Sequence, residues 1–117
     1  MTDSNQACEL ANRECVPCKG GVAPLGAEQI APLLAQLDGW QVVDNHHLAK
    51  RYAFDDFVSA LAFVNRVGEV AEANGHHPDL YLTWGKASTE IYTHKIDGLA
   101  EADFILAAKC DRVLLAG

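Results

Sequence analysis

Three histidines, a glutamate and an aspartate in the second half of this 117-residue chain have the types and spacing of an acid–base site. In EANGHHP, residues 72–78, His76 and His77 stand side by side between a glycine and a proline. Neutral and protonated imidazole coexist near pH 7, so of two of them one can give a proton to a departing group while the other takes a proton from the same substrate. Glu72 precedes His76 by four residues, the spacing at which a helical carboxylate reaches a ring N–H and fixes its tautomer. Gly75 predicts a helix stop, and Pro78 pushes His77 toward extended geometry, so the two rings are expected on a short rigid link and diverging. His94 and Asp103 follow downstream. Other uses of these residue types carry less. Adjacent histidines taken alone are most often surface polar residues, and His46-His47 are read that way. Zinc is disfavoured, because sequence neighbours face one ion poorly and no H-E-x-x-H spacing occurs.

The elements that position these residues are legible from periodicity. Ile30, Leu33, Leu34 and Leu37 predict an amphipathic helix over 27–37, with Pro32 awkward unless in its first turn. WQVV and HHLAKRYAF predict two strands around a turn at Asp44-Asn45, with Leu48, Lys50, Tyr52 and Phe54 on one face. From Asp55 or Asp56 to Asn74-Gly75 runs a long helix with an expected inner face of Phe57, Leu61, Val64, Gly68 and Ala71. LYLTW and ASTEIYTH predict a second hairpin turning at Gly85-Lys86, with Ala87, Thr89, Ile91 and Thr93 sharing a face. That register sets Leu80 near Ile91 and His77 opposite His94, so three imidazoles converge. A last helix is expected from about Glu101 to Leu115, with Asp103 in its first turn beside the strand end. The order α-β-β-α-β-β-α implies an α+β, two-layer fold: a four-stranded antiparallel sheet with helices packed on one face.

Composition narrows the classes. Half the residues are apolar and 21% are charged, the balance of a globular chain with one core. Nine basic against sixteen acidic residues give a net charge of −7, with no Lys/Arg cluster to track phosphates, which argues against nucleic acid. With no apolar run long enough for a bilayer and no hydrophobic leader, a cytoplasmic protein without membrane contact is expected. Residues 1–24 lack sustained periodicity and are read as an extension carrying Cys8, Cys15 and Cys18; the domain proper is placed at 25–117. The CVPC pair lacks the second half of a zinc site and the strand–helix context of a redox motif.

Taken together, Glu72-x3-His76-His77-Pro78, Trp84, His94 and Asp103 resemble the signature of the pterin-4a-carbinolamine dehydratases. The likeness extends through Leu37, Gly39 and Trp40, the run starting at Phe57, and Gly98 to Asp103. The resemblance implies removal of water from 4a-hydroxytetrahydropterin to quinonoid dihydropterin, recycling the cofactor of aromatic amino acid hydroxylases. It implies no metal and no cofactor, the pterin being substrate. A homodimer or homotetramer is implied, with a hydroxylase as possible metabolic partner. His76 and His94 become the acids and bases and His77 a pterin-orienting group, with Glu72 and Asp103 tuning them. Trp40 would border the cleft, and Gly75, Tyr92, Thr93, His94 and Lys95 would hold the pterin ring. Vertebrate relatives also serve as dimerisation cofactors of a transcription factor, so the alternative is an assembly module that binds a protein partner. Ala100 departs from the family's Ser or Thr; it cannot cap the last helix, a loss of about 1 kcal/mol, so Asp103 is expected to sit less firmly.

Overall fold

The structure is a computed structural model describing residues 23–116, with side chains through Leu114. The three N-terminal cysteines lie outside the described residues. Helix α1 (Ala27–Leu34) is followed by β1 (Gln41–Val43), β2 (His47–Ala53), α2 (Phe57–Asn74), β3 (Asp79–Thr83), β4 (Lys86–Ile91), a 3-10 turn (His94–Ile96) and α3 (Glu101–Ala116). The strands form one antiparallel sheet in the order β1-β2-β4-β3. This is the two-layer α+β architecture that the alternation predicts. No helix among the described residues is long and apolar enough to cross a membrane.

Each hairpin is set by its positive-φ residues. Asp44 and Asn45 both have φ of 54°, the left-handed pair at the centre of a type I′ turn closed by the His46 amide on the Val43 carbonyl at 2.8 Å, and with His46 they form a three-residue loop that brings Val43 opposite His47. In the second hairpin the loop is Trp84-Gly85, one residue earlier than expected, with Thr83 opposite Lys86 and Leu80 opposite Thr89 rather than Ile91. Gly85 has φ of 73° and must occupy the second loop position, which fixes the register. The strand therefore ends at Ile91, and His94 opens the 3-10 turn instead of closing β4.

Helix α1 ends at Leu34, short of the expected Leu37, because Pro32 falls in its second turn and removes a ladder hydrogen bond. The amides of Gln36 and Leu37 then bond three residues back, to Leu33 and Leu34. Asp56 caps α2 by accepting from the Ser59 amide at 2.8 Å, and this bond holds its carboxyl below the usual carboxylate range. The buried face of α2 is Ala60, Phe63, Val67 and Ala71, with Val64 half-buried; Phe57 and Leu61, expected inside, are exposed. The small Ala60 and Ala71 let the helix sit close on its neighbours, and the apolar stripe at Phe57 faces outward. Helix α3 is buried at every position from Ala102 to Ala108, as expected of a helix enclosed by α1, α2 and the sheet. Leu48, Tyr52, Ala87 and Ile91 from the sheet meet Phe63, Val67, Phe104 and Leu106 in one core.

Candidate active site

Helix α2 stops where the sequence says it should. Gly75 adopts φ of 64° as the left-handed cap, and its amide bonds back to Ala71 and Glu72 carbonyls. Nothing lies within 4 Å of a Cβ built there, so backbone conformation alone selects glycine. The reversal carries His76 out of the helix and toward α3. There its Nε2 donates to Asp103 Oδ1 at 2.6 Å. His77 points the other way and donates from Nε2 to Glu72 Oε1 at 2.8 Å, with both side chains exposed. The rings diverge as expected, but the partners are exchanged. Glu72 serves His77 and not His76, because four-residue helical spacing no longer applies beyond a left-handed cap.

Asp103 is the centre of the arrangement. It is fully buried and sits at the third position of α3. Its Oδ2 accepts from the Thr93 hydroxyl at 2.8 Å and from the Ala100 amide at 2.7 Å, while Oδ1 accepts from His76 Nε2–H. The Ala100 bond is the half of a capping box in which the third helical residue reaches back to the N-cap amide. The missing hydroxyl at Ala100 therefore does not loosen Asp103, contrary to expectation; Thr93 and His76 supply the other donors. A carboxylate that accepts from all three fixes His76 as the Nε2–H tautomer and leaves Nδ1 for chemistry.

Thr93 also ties the next segment down. Its amide and carbonyl pair with Gly98 across an isolated bridge, closing the 94–97 turn. Gly98 is required by space, since a Cβ there would stand 2.6 Å from Pro24 Cβ. His94 is exposed on this turn, and its ring stacks on Tyr92 at 4.2 Å between centroids and 16° between planes. Lys95 is exposed beside it. Hydrogen bonds through Asp103 thus link the His76 corner to Thr93, the residue that leads into the His94 turn.

Trp40 stands apart from this network. It is buried against Tyr52 with ring centroids 6.4 Å apart, and its Nε1 donates to Asp111 Oδ2 at 3.0 Å. Asp111 Oδ1 also accepts from Tyr52 Oη at 2.8 Å and Lys50 Nζ at 2.9 Å. Burial, then the Asp111 charge, raises the Tyr52 phenol well above its usual range. The polar contacts of Trp40 serve the α3–sheet junction and not the histidines.

Two features escaped the sequence reading. The Thr93 hydroxyl was foreseeable, since alternation placed it on the buried face of β4, where a hydroxyl needs a partner. His46 was read as a surface residue, yet it is half-buried against Tyr92 at 4.4 Å and bonded to Asp97 at 2.7 Å.

The family model for pterin 4 alpha carbinolamine dehydratase matches residues 23–113, nearly all of the described chain. The chain belongs to the pterin-4a-carbinolamine dehydratase family. A protein named putative pterin-4-alpha-carbinolamine dehydratase from Rubrobacter xylanophilus is 58% identical over 105 residues, covering 90% of this chain and 98% of that one. One of the same name from Rickettsia bellii is 50% identical, covering 89% and 93%. Among solved structures, a transcriptional coactivator/pterin dehydratase from Brucella melitensis superposes with a TM-score of 0.73 at 28% identity, covering 77% of this chain and 97% of that one. A pterin dehydratase-like RuBisCO assembly factor of the alpha-carboxysome shares the fold, with a TM-score of 0.56 and 22% identity over 64% and 88% of the two chains. The family's named reaction is the removal of water from a pterin carbinolamine, a hydro-lyase activity.

Proposed function

We propose that this chain dehydrates 4a-hydroxytetrahydropterin to quinonoid dihydropterin by imidazole acid–base catalysis. The observation that carries the reading is the buried Asp103 carboxylate, which orients His76 and, in the same set of bonds, holds Thr93, the residue that leads into the His94 turn. In the reaction one imidazolium gives its proton to the C4a hydroxyl and the C4a–O bond breaks with departure of water. The N5–H proton passes to a neutral imidazole, and the electron pair it leaves forms the C4a–N5 double bond. Atoms and charge balance without a redox partner. His76 and His94 are the pair for these transfers. Exposed His77, supported by Glu72, and the backbone of Gly75 and of Thr93 to Lys95 would hold the ring. The flat, exposed His94 ring on Tyr92 offers a stacking surface for a planar heterocycle.

The product would return to the cofactor pool of an aromatic amino acid hydroxylase in the cytoplasm. Self-association as a dimer or tetramer is supported by Phe57, Val58 and Leu61, which α2 leaves exposed. The test is turnover of 4a-hydroxytetrahydropterin by purified protein. Acid–base groups typically contribute 10²–10⁴-fold, so a His76→Ala, His94→Ala double variant is expected to lose at least about 100-fold. Full activity in that variant would sink the proposal.

A further inference from the structure

The His46 imidazole is placed to grip the turn that carries His94. The Asp44-Asn45 loop delivers it to the end of the β1–β2 hairpin, where its Nε2 lies 2.7 Å from Asp97 Oδ1. Asp97 closes the 3-10 turn in a left-handed conformation, φ of 49°, which costs a residue with a side chain and needs holding in place. The other end of that turn is His94, whose ring stacks on Tyr92, and Tyr92 in turn packs on the His46 ring with centroids 4.4 Å apart. One imidazole therefore bears on both ends of the turn, directly by the hydrogen bond at Asp97 and indirectly, through the Tyr92 ring, at His94.

We infer that His46 is a positioning residue for His94, setting the orientation of the His94 ring through Tyr92 and Asp97. The inference deepens the dehydratase reading and rests on it for the catalytic consequence, though the positioning is a property of the fold. The titratable groups facing His46 are Asp97 from the 3-10 turn, Tyr92 from the end of β4 and His47 from its own hairpin, with His94 behind Tyr92. His46 Nδ1 lies 3.1 Å from His47 Nδ1, so that contact holds one proton between two nitrogens. With Nε2–H donated to Asp97, neutral His46 accepts from His47, and protonated His46 donates to it. Full protonation of both rings breaks the contact.

The experiment uses the full chain and two readouts. In heteronuclear NMR across pH 5–9, His46→Ala is expected to move the His94 ring resonances and the midpoint of their titration. His46→Phe, which keeps a ring on Tyr92, retains more of the parent behaviour, and this rescue also serves if the alanine variant folds poorly. In turnover assays kcat is expected to fall roughly tenfold and KM to rise by a smaller factor through the displaced stacking surface, since misplacement of a catalytic group costs rate more than binding. Unchanged His94 titration in both variants overturns the inference, as does unchanged kcat alongside a histidine-dependent parent activity. If the parent shows no turnover while His94 still responds to His46, the positioning stands and the dehydratase reading falls.

Discussion

Thr89 in β4 and Thr93, two residues past its end, are both buried, and the same substitution should act on them with opposite sign. Thr93 is 7% exposed and donates its hydroxyl to the buried Asp103 carboxylate at 2.8 Å. Valine fills the same volume, so Thr93→Val removes the donor without opening a cavity. A hydrogen bond to a charged group contributes about 1.5–3 kcal/mol, and Asp103 is fully buried away from bulk solvent. At about 4 °C per kcal/mol for a domain near 100 residues, the melting temperature should fall by roughly 6–12 °C. The Thr89 hydroxyl is fully buried and has no hydrogen-bond partner among the described residues. Burying an unsatisfied hydroxyl costs free energy that valine does not incur, so Thr89→Val should gain roughly 1 kcal/mol. Calorimetry and urea unfolding at pH 7 measure both, with a constant m-value guarding against a changed denatured state. In an Asp103→Asn background the cost of Thr93→Val should shrink, because the two residues share one interaction. Equal melting temperatures for Thr93→Val and the parent would refute the central place given to Asp103. A loss in both valine variants would show instead that β4 tolerates valine poorly for reasons of packing.

Tyr52→Phe should cost about 1 kcal/mol at pH 7, since Asp111 keeps Lys50 and Trp40 as donors. The raised phenol contributes stability that is complete below pH about 10, where an unfolded tyrosine ionises, and is lost as pH rises further. The parent's advantage should therefore narrow between pH 10 and 11 in urea titrations, and a constant gap would contradict the assignment. Gly75→Ala should destabilise by about 1–2 kcal/mol from backbone strain alone, because no atom obstructs the added Cβ. Gly75→Asn should cost less, as asparagine tolerates the left-handed region, and equal melting of all three proteins would remove the argument.

Local signals with a mechanism were legible in the sequence. Asp44-Asn45 named its own turn, Gly75 its own helix stop, and alternation along β4 sorted buried from exposed residues. The misses share a cause: each needed information from a segment distant in the chain. Helical spacing offered Glu72 to His76, but only the docking of α3 reveals that Asp103 takes that ring. The apolar run of α2 contains two stripes, and the one that faces inward depends on what packs there. The Gly85 turn could be placed in two registers by composition, and the register shift moved His94 from a strand end to a 3-10 turn. His46 looked like half of a solvated pair because its partner Asp97 is 51 residues away.

Asp103 draws its donors from the link after α2, from the end of β4 and from the start of α3. A chain emerging from the ribosome exposes the sheet and α2 well before this carboxylate. Until α3 has been made and docked, His76 has no acceptor and Thr93 no anchor, whatever state the strands have reached. Order in the reactive corner thus arrives late in synthesis, together with closure of the core, so that partly made molecules hold the histidines without the means to aim them.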